Sequence, residues 1–154
     1  MKVVQEQARS RRLLEGEAAR LLPACSSHLR ALVEAALETG CRLGELLSLQ
    51  VHQVQFEPRA EIWLPAAKTK TGRARRVPMS GRLRAVLDMR IALLRQTADL
   101  KPEDELKPDL FVLGNAIGEQ VAGIKRAWRM ACQRAEIADL HFHDLRREAG
   151  SRWM

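Results

Sequence analysis

"SSHLRALVEAALETGCRLGELLSLQ", residues 26–50, carries the pattern around which the rest of the chain is organised. Leu29, Leu32, Val33, Ala36 and Leu37 recur at three- and four-residue intervals, the spacing that brings apolar side chains onto one face of an α-helix. Ser26 or Ser27 offers a hydroxyl N-cap and Gly40 a stop, so the spacing predicts a helix from about Ser27 to Thr39. "RLGELLSLQ" resumes the helical pattern just after Gly40, which puts Arg42 at a helix-to-helix corner. Upstream, "EGEAARLLPAC" reads as a preceding helix that Pro23 ends.

Downstream the periodicity changes. "VHQVQF", "AEIWLP" and "RARRVPM" are short runs with β-branched or aromatic residues, separated by "EPR" and "KTKTG", and they predict a three-stranded antiparallel meander. Its second connection carries Lys68, Lys70 and Gly72, so a cationic hairpin tip projects from a small sheet. Past Ser80, the residues Leu83, Val86, Leu87, Ile91 and Leu94 mark a long helix that dissolves into the polar "KPEDELKPD". "LFVL" is short enough to be strand or turn. Val121, Ile124, Trp128, Ala131 and Ala135 carry another helix, and a closing helix begins near His143. By periodicity Trp63 and Trp128 face the core, Trp153 is ambiguous, and His28 and His52 are surface or half-buried residues without convergent partners.

With 154 residues and 46% hydrophobic content, the chain suits one domain with a real core. Its formal charge of +7 favours a polyanionic partner, because clustered Lys and Arg bind phosphates by releasing counterions. Cys25, Cys41 and Cys132 stand far apart with no CxxC, so neither a zinc site nor a disulfide framework is expected and they read as core residues. Neither a membrane span nor a signal-peptide core is expected, and the predicted location is cytoplasmic.

Three motifs remain, "TGCRLGELLSL", "KTKTGRARRVPMS" and "HDLRR". Taken singly each has an ordinary structural reading: an i, i+3 surface ion pair, a solvated hairpin whose lysines discourage edge pairing, and a charged helix start. In this order, with a sheet between the first two and helices before the third, they resemble the catalytic domain of the tyrosine recombinases, or phage integrases. The resemblance runs from about "LLEGEAARLL" to the last residue. It implies a mainly α, α+β fold, the helical catalytic domain of the DNA breaking-rejoining enzymes with its small three-stranded antiparallel sheet. It also implies that residues 13–154 are part of that domain and that residues 1–12 are the linker from an N-terminal DNA-binding domain.

The family's "TGxRxGE" puts the first catalytic arginine on Arg42 and a supporting carboxylate on Glu45. Its hairpin lysine falls on Lys70, ahead of the turn glycine, and its "HxLR" falls on His143 and Arg146. The expected chemistry is physically coherent. Attack on a phosphodiester builds charge on two non-bridging oxygens, and a guanidinium offers a planar fork of donors to meet it. Donors placed in advance at such oxygens often supply the largest catalytic contribution. Lys70 would protonate the leaving 5' oxygen. His143 would bond the phosphate or manage the nucleophile's proton, and Glu45 would hold Arg42 or its neighbours. Lys68, Arg73 and Arg75 are expected to bind DNA. No step requires a metal ion or another cofactor.

The family's nucleophile is a tyrosine beyond the "HxLR" helix, and this chain has none. The expectation is therefore a DNA-binding catalytic-domain fragment, inactive alone because the clamp cannot form the covalent intermediate. Double-stranded DNA is the expected partner, with self-association on DNA in the full-length protein and a dimer through the cut C-terminal face as a further expectation. The rivals are a non-catalytic DNA-binding module from a degenerate integrase and, more remotely, a helical interaction protein whose charge is incidental.

Overall fold

The computed structural model describes residues 11–14 and 16–152. Trp153 and most of the expected 1–12 linker lie outside the described residues.

The 26–50 stretch forms the centre of the fold. Helix α1 (Glu17–Ala24) keeps Pro23 in its last turn and stops one residue later, and α2 (Ser27–Thr39) follows. Ser26 caps α2, its hydroxyl accepting the Leu29 N–H at 3.4 Å, and Gly40 ends it in the left-handed region at φ 71°. A side chain is costly in that conformation, whereas glycine adopts it freely. Ala31 and Ala35 are buried along with the predicted apolar stripe, because α2 is enclosed by other helices on more than one side. Helix α3 (Leu43–Leu47) restarts at Arg42, its N-cap.

The meander forms as expected. Strands β1 (Val54–Gln55), β2 (Glu61–Leu64) and β3 (Arg75–Pro78) pair antiparallel in chain order, with "VHQ" wound into a 3-10 turn rather than extended. Ile62, between Val54 and Val77, points inward with Leu64. The alternation of a strand then turns Trp63 the other way, and it is 39% exposed, which corrects the expectation that it faces the core. Trp128 does pack inward: its indole N–H donates to the Leu140 carbonyl at 2.9 Å and its ring meets Phe142 edge-on at 5.5 Å.

Helix α4 (Gly81–Thr97) is capped by Ser80, and α5 (Lys125–Arg134) begins after Val121, which only leans on the core. "LFVL" is a turn with a single antiparallel bridge from Phe111 to Gln50. The turn is secured from two helices: buried Arg90 of α4 donates to the Val112 and Gly114 carbonyls, and half-buried His28 of α2 donates to that of Leu113. His28 thus has a partner that no spacing rule announced. A 3-10 turn (Phe142–Asp144) leads into the closing helix α6 (Leu145–Arg152), which packs extensively on α2. All three cysteines are free, and burial pushes the Cys25 thiol up to about 11 and raises those of Cys41 and Cys132. Among the described residues no helix is long and apolar enough to cross a membrane, and no cluster of potential metal ligands occurs.

Arg11 fastens the N-terminal side through a two-pronged pair with buried Glu17, at 2.9 and 2.7 Å. The hydrogen bond from Arg11 holds the Glu17 carboxyl below its ordinary 4.5 despite burial. A depressed folded-state pKa contributes stability that is complete above the unfolded value and lost as the pH falls through the folded one. Thermal denaturation between about pH 6 and pH 3 should show a steeper acid loss of Tm in the wild type than in Glu17→Gln. Parallel curves would show that the pair does not couple stability to pH.

Candidate active site

The corner at Gly40–Arg42 and the start of α6 meet because α2 and α6 pack together. Arg146, on the first turn of α6, donates its Nε–H to the Gly40 carbonyl at 2.7 Å. That bond uses one edge of the guanidinium and fixes the side chain beside Arg42. Burial lowers the Arg146 pKa, and the charges of Arg42 and Arg75 lower it further while Glu45 opposes them. The two arginines that stand 104 positions apart in the chain (146 − 42) thus share one electrostatic neighbourhood.

Glu45 organises this group from below. It is 3% exposed, and its Oε1 accepts the backbone N–H of Arg42 at 2.8 Å, closing the first turn of α3. Both of its oxygens also accept from the Arg75 guanidinium, at 3.0 and 3.1 Å. Burial works against the Arg75 charge, but the hydrogen bond and charge of Glu45, with help from Cys41, keep its pKa above the ordinary value. Glu45 therefore holds the main chain of Arg42 and the side chain of a neighbour on β3. The side chain of Arg42 is left out of that pairing.

The connection between β2 and β3 rises over α3. An open cleft of about 390 Å³ lies between them, and Arg42, Gly44 and Glu45 line one side while Lys68, Thr69 and Lys70 line the other. Lys70 is exposed on the turn ahead of Gly72, whose φ of 71° explains the glycine there, and Arg73 is exposed beyond it. Lys68 lines the same cleft, but its ammonium is engaged internally. Its ammonium donates to the Ser48 carbonyl (2.6 Å), Gln50 Oε1 (2.6 Å) and Gln53 Oε1 (2.7 Å), 5.9 Å from the centre of the Phe111 ring, and burial lowers its pKa. Thr69 is buried inside the turn, its hydroxyl bonded to the Ala66 and Arg73 carbonyls.

His143 is exposed on the 3-10 turn that opens α6, three residues before Arg146. The turn is closed by Asp144, whose Oδ2 accepts the His141 N–H at 2.8 Å. Of the eight residues singled out in the sequence, Arg42 and Lys70 line one cleft and Arg146 lies in the field of Arg42. Glu45 lies beneath them, and His143 and Arg73 present themselves to solvent. Lys68 and Arg75 are engaged internally. The Gly40 carbonyl and the amides of Gln50 and Gln53 escaped sequence reasoning. A peptide carbonyl leaves no mark in a residue pattern, and glutamines three apart look like any polar turn.

The sequence pattern of the phage integrase family matches residues 11–154. The chain is 38% identical over 125 residues to the shufflon-specific DNA recombinase of Escherichia coli, covering 81% of this chain and 27% of that protein. It is 31% identical over 147 residues to the integrase of Salmonella phage P22, covering 95% of this chain and 38% of that one. The chain thus spans well under half the length of either relative. The crystal structure of XerA recombinase superposes with a TM-score of 0.70 at 22% identity, over 95% of this chain and 51% of that one, a likeness of fold.

Proposed function

Because the chain belongs to the phage integrase family of tyrosine recombinases, we propose that it supplies the phosphate clamp and general acid with which a site-specific recombinase breaks and rejoins duplex DNA. The observation that carries this reading is the convergence of Arg42 and Lys70 on one cleft, with Arg146 held beside Arg42.

In this reading Arg42 and Arg146 bind the two non-bridging oxygens of the scissile phosphate, whose charge grows as a tyrosine oxygen attacks phosphorus. The bond to the 5' oxygen breaks, and Lys70 passes its proton to that oxygen. His143, at the open edge of α6, bonds the phosphate or takes up the phenolic proton. The 3' phosphate is left joined to tyrosine, and reversal by another 5' hydroxyl rejoins the strand. Residues 13–154 are the part of the catalytic domain that holds these groups, residues 1–12 lead into it, and self-association on DNA belongs to the strand-exchanging assembly. The chain contains no tyrosine, so on its own it binds DNA without becoming joined to it.

The 154-residue chain should bind duplex DNA with an affinity that falls steeply between about 50 and 200 mM salt, read by fluorescence anisotropy. On a nicked suicide duplex it should form no detergent-stable adduct. Binding indifferent to salt would remove the phosphate clamp, and an adduct from this tyrosine-free chain would remove the phosphotyrosine route.

A further inference from the structure

Two cationic side chains in the hairpin region do not face the cleft as free charges, and both end on α3 or its immediate continuation. On the β2 side, Lys68 reaches the carbonyl of Ser48, the C-cap of α3, and the amide oxygens of Gln50 and Gln53 just beyond it. On the β3 side, Arg75 reaches Glu45 in the middle of α3. Lys70 lies between these two attachments, and Arg42 is the N-cap of the helix to which both are made. We propose that Lys68 and Arg75 are positioning residues, two straps that fasten the Lys70 hairpin to the Arg42 helix before DNA arrives, and that neither contacts a DNA phosphate. The proposal rests on the reading of Arg42 and Lys70 given above.

An ammonium has three N–H bonds, and all three of Lys68 have acceptors between 2.6 and 2.7 Å. A phosphate oxygen could be bound only by giving one of them up. The acceptors are themselves held in place: Gln53 is 1% exposed, donates to the Trp63 carbonyl at 2.9 Å and accepts the Gln50 N–H at 2.8 Å, while Gln50 donates to the Asp109 carbonyl at 3.0 Å. None of the three is a carboxylate. Neutral acceptors fix the position of the ammonium without cancelling its charge, so its field still reaches the cleft that it lines. Arg75 differs, since Glu45 neutralises it, and its strap is mechanical. Between the straps the turn is already folded, with the Gly72 N–H on the Thr69 carbonyl and the Thr69 hydroxyl on that of Arg73. Lys70 is thereby carried on a short arm with both ends tied, which restricts where its amine can travel relative to Arg42.

The proposal is tested on the 154-residue chain with three readouts. In the nitrogen-detected spectrum of lysine ammonium groups, the Lys68 signal should be visible without DNA, because its protons are shielded from exchange, and should stay in place when duplex is added. The Lys70 signal should move. Lys68→Met should speed hydrogen exchange of hairpin amides 66–75 by about tenfold or more while α2 and α4 stay protected, and Lys68→Arg, which keeps charge and donors, should restore much of the protection. The slope of log affinity against log salt should fall by well under one in Lys68→Met and Arg75→Gln, whose charges act on DNA only at a distance, and by about one in Lys70→Gln and in Arg73→Gln. A Lys68 signal that shifts with DNA, or a salt slope that drops by one in Lys68→Met, would overturn the proposal, as would unchanged hairpin exchange in that variant. Should Lys68→Met not fold, the wild-type spectrum and Arg75→Gln still decide it. If the wild type failed to bind DNA at all, the functional reading would fall, while the exchange data would still report whether the straps exist.

Discussion

Arg146→Ala, placed in a version of this domain continued through a tyrosine-bearing segment, is expected to cut formation of the covalent protein–DNA adduct by at least about a hundredfold, with Arg147→Ala within a few-fold of wild type. The two residues are neighbours of the same charge, so net charge and long-range attraction change equally in both variants. What separates them is where the guanidinium is held. Arg146 is pinned at 2.7 Å to the Gly40 carbonyl and sits in the field of Arg42, whereas Arg147 lies on the exposed side of α6. Arg42→Ala should be about as damaging as Arg146→Ala, and the double variant much less than the product of the two, since groups that clamp one phosphate act as a unit. The measurement is the yield of detergent-stable adduct on a nicked suicide duplex. Equal losses from Arg146→Ala and Arg147→Ala would mean that the clamp has been misplaced.

Leu32→Ala should give the largest loss of stability, about 2–5 kcal/mol. Leu32 is fully buried at the middle of α2, the helix whose C-terminal glycine receives Arg146 and whose continuation carries Arg42. Truncating it removes apolar contact and leaves a cavity that several packed helices cannot close together. Leu93→Ala on α4, where the side chain is 36% exposed, should cost well under half as much. For a chain of this size a loss of 1 kcal/mol moves Tm by roughly 2–4 °C, so the two variants are separable by calorimetry. A Leu32→Ala protein that melts with the wild type would mean that α2 is not the central element.

Leu32 and Arg146 differ in how far the sequence alone reveals their roles. Leu32 can be chosen from the sequence alone, because apolar residues at helical spacing between a serine cap and a glycine stop leave few alternatives for that segment. The meander was legible for the same reason, apart from the residues that wind into a 3-10 turn and the facing of Trp63. That facing follows from strand register, which inverts every side chain on a one-residue slip. Arg42, Glu45, Lys70, His143 and Arg146 were legible as motif positions, but their mutual placement was not. Lys68 and Arg75 read as DNA-binding residues alongside Arg73, since nothing in "KTKTGRARR" distinguishes a cation that faces solvent from one that turns inward.

The sequence by itself determined the helices, the hairpin with its turn glycine, and the order in which the charged motifs follow one another, because caps, breakers and periodicity act over a few residues. Only the tertiary structure decided which cations converge on a cleft and which are spent on internal oxygens. A charge takes its role from the oxygens within about 3 Å of it. For Lys68, Arg75 and Arg146 those oxygens come from residues 15 to 106 positions away, brought there by the packing of α2, α3 and α6 and not by any local pattern.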